Sequence, residues 1–158
     1  MACWNDVGEA APELAAAVQA RFEATGLGFL ATLRKNGFPR ISGIEPSFAA
    51  GEMWLGMMDR SLKALDLRRD PRLAVHSASA DRYVKEGDAR VTGAAVELSE
   101  GDEQRQAYLK HLGGGAPPEP MHVFRVDVTE VMLLMPAGDH LVIDSWVEGR
   151  GLRSVKRY

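Results

Sequence analysis

Apolar residues recur along this chain with two different periods, and the switches between them mark its elements. From Pro12 to Thr25 the positions Leu14, Val18 and Phe22, with Ala15 beside them, return every three or four residues and share one helical face. Proline suits a first helical turn, and Gly26 supplies the stop. The period then shortens to that of extended chain. Gly28 to Leu33 is a brief apolar run, and Asn36-Gly37 after it predicts a tight hairpin whose two central residues both take positive φ. Phe38 to Phe48 reads as one strand, Gly51 as a second turn and Glu52 to Met58 as a third strand, the pattern of a β-meander.

Helical spacing returns from Ser61 to Arg69 and ends at Asp70-Pro71, because a residue before proline avoids the helical region. Arg72 to Ser77 and Asp88 to Leu98 predict further strands. Gly101 to Leu112 predicts a helix, and Gly113 to Pro118 a flexible loop. Met121 to Met135 is a long alternating strand and His140 to Val147 the last; Glu148 to Tyr158 reads as a basic, polar tail. Hairpins interrupted by helices predict an α+β chain, mainly antiparallel, of barrel type with peripheral helices. The hairpin argues against a parallel sheet, and the helices argue against an evenly spaced sandwich. Neither repeat nor linker divides the 158 residues, so one domain is expected, with an N-terminal helical segment at 1–26 and a tail at 148–158. Val131 to Met135 is apolar on both faces, so the surplus face is expected to pack on a two-fold mate in a homodimer.

Composition mainly excludes. A formal charge of −3 leaves no overall basic footprint for nucleic acid. Cys3 is the only cysteine, so no internal disulfide forms. Residues 1–13 carry Asp6, Glu9 and Glu13 and no basic segment, and no run of about 18 apolar residues follows. A cytoplasmic location without membrane span is therefore expected. The histidines His76, His111, His122 and His140 stand far apart and are expected at strand ends or on the surface, not around a metal. No dinucleotide fingerprint, P-loop, His-Glu-x-x-His or Gly-x-Ser-x-Gly occurs. An enzyme built from this chain would leave the hard chemistry to a cofactor.

One stretch points to such a cofactor. In Leu55 to Ala64 a strand ends, a short turn follows, and a helix opens with Arg60, Ser61 and Lys63 within four positions. The first turn of a helix presents unpaired N–H groups and a partial positive charge, which suits an anion. Ser61 adds a hydroxyl, Lys63 a mobile ammonium and Arg60 a forked guanidinium. Upstream, the strand around Arg40 carries Gly43, whose missing side chain permits close approach of a ligand.

Several motifs in consistent order resemble the pyridoxamine 5′-phosphate oxidase-like, flavin- or deazaflavin-binding split-barrel family. They are Ala31-Thr32-Leu33-Arg34 with Asn36-Gly37 and Pro39-Arg40, then Met53-Trp54-Leu55-Gly56. Next come Ser61-x-Lys63-Ala64-x-x-Leu67 with Asp70-Pro71-Arg72, and finally Ala89 to Ala95. The resemblance implies a six-stranded Greek-key split β-barrel with its cofactor at a two-fold dimer interface. It implies Ser61, Lys63 and Arg60 at the cofactor phosphate. It further implies Arg40, Ile41, Ser42 and Gly43, with Gly56 and Met57, beside the ring system or ribityl chain. The implied function is an FMN-dependent oxidoreductase acting on a small organic substrate. The alternatives are a reductase of conjugated substrates using the deazaflavin coenzyme F-420, and a flavin- or haem-binding protein without turnover. Basic residues at the mouth, Lys63, Arg60, Arg68 and Arg150, would favour the deazaflavin's polyanionic tail. The C-terminal substrate-phosphate segment of a true pyridoxamine 5′-phosphate oxidase is missing, so vitamin B6 oxidation is not expected. In its place the tail is expected to lie across a partner subunit or to bring Trp146 and Arg150 to the pocket.

Overall fold

A computed structural model describes all 158 residues. The helices are α1 (Trp4–Ala10), α2 (Pro12–Thr25), α3 (Leu62–Arg69) and α4 (Glu103–Leu112). The strands are β1 (Gly28–Leu33), β2 (Pro39–Ile44), β3 (Ser47–Ala49), β4 (Glu52–Met58), β5 (Arg72–Ser77), β6 (Asp88–Glu97), β7 (Met121–Ala137), β8 (His140–Val147) and β9 (Gly151–Arg157). All nine strands join one sheet: seven run in the order β2-β1-β5-β6-β7-β4-β3, β8 pairs with β7 and β9 with β8, and every pairing is antiparallel.

β7 is the spine of this sheet. One of its edges is paired with β6; the other is shared between β4, from Met121 to Arg125, and β8, from Glu130 to Ala137. The end strands β2 and β3 are not paired with each other, so the barrel stays open, as a split barrel does. Six strands (β1, β2, β4, β5, β6, β7) make its wall. β3 extends β4, and the β8–β9 hairpin extends β7. The spine bends where the β6–β7 register slips between Thr92 and Gly93. Only glycine fits there, because a Cβ on Gly93 would lie 2.2 Å from the Asp127 carbonyl oxygen.

The strand alternation sorts side chains into an inner and an outer face. Leu30, Leu55, Met57, Val75, Val91, Phe124, Val126 and Val131 form the inner core with Leu14, Val18 and Phe22 of α2 and Ala64 and Leu67 of α3. A smaller cluster of Trp54, Tyr108, Met121 and Val123 lies where α4 covers the outer face of β4 and β7. On β1 and β2 the outer face is bare: Phe29 and Ile41 are 50 % and 66 % exposed. No helix is long and apolar enough to cross a membrane.

Four local expectations are corrected. The N-terminal segment at 1–26 is two helices, Trp4–Ala10 ahead of Pro12–Thr25, and periodicity did not mark the first because only Trp4 and Val7 are buried along it. The strand expected over 38–48 breaks at Glu45-Pro46, since proline cannot donate to a ladder. The β1–β2 hairpin turns at Asn36-Gly37, but only Gly37 takes positive φ, 84°. Its amide donates to the Arg34 carbonyl, and the Phe38 amide donates to the Asn36 side chain, giving a wider loop than a two-residue turn. The C-terminal tail, finally, is not loose: Gly151–Arg157 pairs with β8 over its whole length.

Candidate functional site

The β4–α3 turn is the centre of the site. Ser61 stands at the N-cap of α3 in extended conformation, yet its side chain caps nothing. Its Oγ is buried and has no hydrogen-bond partner within the chain. The first N–H groups of α3 thus lack both an intrahelical partner and a side-chain cap. Lys63, two residues on, extends across to β2, where its Nζ donates to the Gly43 carbonyl at 2.6 Å. Burial pushes its ammonium below the usual lysine range, and Glu45 offsets only part of that. A partly desolvated cation, an unpaired hydroxyl and an open helix start form an arrangement that a phosphate would satisfy.

Behind the turn lies a buried carboxylate. Asp66 is 3 % exposed, and its Oδ2 accepts from Thr32 Oγ1 at 2.8 Å and Arg40 Nε at 2.7 Å. Its Oδ1 accepts from Arg69 at 2.9 Å. Burial pushes this carboxyl up, but the hydrogen bonds from Arg40, Arg69 and Thr32 outweigh it and hold the group below the ordinary aspartate value. Arg69 also donates to the Leu33 carbonyl at 2.6 Å, so the cluster ties α3 to the β1–β2 hairpin. A concavity of about 560 Å³ opens over it, rimmed by Arg34, Lys35, Arg40 and Arg69 with Leu62 and Leu65.

The residues singled out in the sequence are therefore divided. Lys63 meets Gly43, and Ser61 stands at the start of the same helix. Arg60 adjoins them with its side chain in solvent and its φ at +58°, while its backbone N–H donates to His122 Nε2 at 3.2 Å. Arg40 is close by, but its guanidinium is occupied by Asp66. Ile41 points to the bare outer face, and Ser42 to the inner one. Gly56 faces α4, where a Cβ would lie 2.9 Å from Tyr108 Oη, so its role is to admit that ring. Met57 fills the barrel core, 2 % exposed, and Trp146 is a core residue too. Arg150 is exposed in the β8–β9 turn. Met57 and Trp146 thus contribute packing within this chain, where alternation directs them inward.

Asp66 and Thr32 escaped sequence reasoning as site residues, and His122 was a candidate only as a haem ligand. Asp66 sits one helical turn before Arg69, which marks an ion pair but not a buried one. His122 is at a strand end, as expected, but is buried there.

The sequence profile of the family described as pyridoxamine 5′-phosphate oxidase matches residues 14–135. The chain belongs to this family. Three solved structures place the pyridoxamine 5′-phosphate oxidase fold beyond sequence likeness alone. PhzG from Burkholderia lata 383, solved with tetrahydrophenazine-1-carboxylic acid, superposes with a TM-score of 0.68 at 14% identity, covering 99% of this chain and 96% of that one. A pyridoxamine 5′-phosphate oxidase-related, FMN-binding protein from Nostoc punctiforme PCC 73102 gives 0.66 at 15% identity, covering 94% and 96%. A haem-binding protein from Mycobacterium smegmatis gives 0.59 at 28% identity, covering 84% of this chain and 57% of its own length. No curated protein matches the chain in sequence.

Proposed function

We propose that this protein binds FMN through the β4–α3 turn and works as a flavin-dependent oxidoreductase on a small organic substrate, as a cytoplasmic homodimer. The observation that carries the reading is the unpaired, buried Ser61 hydroxyl at an uncapped helix start, two residues before the partly desolvated Lys63. These groups fit a phosphate monoester, and the FMN-binding protein of Nostoc punctiforme shares the fold that positions them. Ser61 and the first amides of α3 would donate to the phosphate oxygens, and Lys63 would exchange its carbonyl partner for them. FMN when bound supplies redox chemistry at its ring; the chain's own residues bind and orient. No nucleophile–base pair is needed for that division of labour.

Titration of the purified protein with FMN tests the assignment. Lys63→Ala is expected to weaken binding about 10- to 100-fold, because a hydrogen bond to a charged group contributes roughly 1.5–3 kcal/mol. Unchanged affinity would remove Lys63 from the phosphate site. The same titration with coenzyme F-420 separates the two cofactors: the rim of Arg34, Lys35, Arg40 and Arg69 suits a polyanionic tail. Tenfold tighter FMN binding, about 1.4 kcal/mol, would count against the deazaflavin.

A second reading, haem binding without turnover, rests on His76. Its Nδ1 lies 2.7 Å from the Ser77 carbonyl oxygen, which can only accept, so the neutral ring carries its proton there. Nε2 is then the unprotonated ligand atom, on a residue directly across from Phe29 and with Asp88 Oδ2 4.0 Å away. The haem-binding protein of Mycobacterium smegmatis makes the test worthwhile. Added haemin should give a Soret band that His76→Ala shifts or abolishes; a band indifferent to that change would exclude His76 as the ligand.

A further inference from the structure

His122 is a buried imidazole that the phosphate site does not use directly, and its two nitrogens meet groups of opposite demand. Glu97 Oε1 lies 2.7 Å from Nδ1, and the backbone nitrogen of Arg60 lies 3.2 Å from Nε2. A peptide N–H can only donate, so Nε2 must accept, and the ring proton must sit on Nδ1 facing Glu97. Arg68 grips the same carboxylate twice, at 2.6 and 2.9 Å. The contacts close a loop: from the β4–α3 turn to β7, across to β6, and back through Arg68 to the helix that the turn begins.

Arg60 is the residue in that turn that needs holding. Its φ of +58° is left-handed, a strained conformation for a residue other than glycine. It directly precedes Ser61. We propose that His122, neutral and protonated on Nδ1, is a positioning residue for the Ser61–Lys63 turn, and that protonation of Nε2 releases that turn. This rests on the turn being the phosphate site.

The surroundings give protonation a direction. Facing the ring are Glu97 from β6, Asp59 from the turn, with its Oδ1 3.8 Å from Nε2, and Arg68 behind Glu97. Phe124 stacks beside it at 6.2 Å, and Glu100 and Arg105 line the same cavity of about 440 Å³. Once Nε2 carries a proton it cannot accept from Arg60, and two N–H groups point at each other. Asp59 is then the nearest acceptor on that side. The new pair pulls the residue before Arg60 toward the ring, and the left-handed Arg60 loses its tether.

Two readouts test this. Without cofactor, the Arg60 amide resonance of nitrogen-15-labelled protein is followed from about pH 8 to about pH 5.5, the span in which histidine gains its proton. It should move with the midpoint of the His122 ring, and should stay still in His122→Gln, which keeps an acceptor but does not titrate. An Arg60 amide that is silent while His122 titrates, or that responds equally in His122→Gln, overturns the proposal. With cofactor, FMN affinity should fall about tenfold further over the same span in the wild type than in His122→Gln, the protonation of the FMN phosphate at about pH 6 being common to both. An equal fall in both overturns the proposal as well. If FMN binds to neither protein at any pH, the phosphate-site reading has failed, and the Arg60 amide decides the positioning role by itself.

Discussion

Asp66→Ala is expected to cost about 3 kcal/mol of folding stability, read as a lower denaturation midpoint at unchanged slope. The carboxylate has three donors, from β1, β2 and its own helix, so its removal strands two guanidinium groups at once. Loss of one partner from a buried ion pair costs about 3–5 kcal/mol. The lower end applies here because the Arg40 and Arg69 side chains keep 20% and 38% of their surface in contact with solvent. Asp66→Asn retains the shape and the Thr32 bond and should cost less. The pH dependence has a definite sign. The folded carboxyl is held below the ordinary aspartate value of about 3.9, so its contribution is full above that value and is lost as pH falls through the lower, folded one. The difference between wild type and Asp66→Asn should therefore shrink in acid. A midpoint gap that is constant from neutral pH down to acid unfolding would mean that the ionised form carries no special stability.

In Ile41→Asp the homodimer proposed above is expected to give way to a monomer of 17.2 kDa in sedimentation or light scattering. Ile41, Phe29 and Ala31 share the outer face of the β1–β2 hairpin, with His76 and Ala74 continuing it on β5. Within one chain nothing covers Ile41, whereas the helices α1 and α2 pack on the inner face. A two-fold mate seated on this face would bury each Ile41 and contribute about 2 kcal/mol per copy. An aspartate in its place loses that and adds the desolvation of two carboxylates, so a loss of about 1,000-fold or more in dimer affinity follows. Because the side chain is exposed in the single chain, the variant should keep its circular dichroism and melting behaviour as a protomer. A wild type that is monomeric at micromolar concentration, or a variant that stays dimeric, would remove the dimer from this face.

Both predictions turn on where tertiary structure carried the chain beyond what its pattern shows. Alternation and helical spacing are properties of neighbours two to four residues apart. They were enough for α2, for β1, β4 to β8, for α3 and α4, and for the antiparallel class with its split-barrel resemblance. The Ser61–Lys63 turn was legible for the same reason, since a strand end, a hydroxyl, an ammonium and a helix start fall within one short stretch. β9 was not: Leu152, Arg153, Ser154 and Lys156 are exposed, and a strand that pairs through backbone alone leaves no hydrophobic period. Nor did the pattern show that Met57 and Trp146 face the core and Gly56 faces Tyr108, because facing depends on register against strands distant in the chain. Asp66 meets Arg40 across 26 positions and Thr32 across 34, and Arg60 meets His122 across 62. The sequence by itself thus determined most of the elements and their class, and marked the turn proposed here to receive an anion. Only the folded chain decided which charges are buried together and which histidine holds the turn, because those contacts are made between residues that no local period relates.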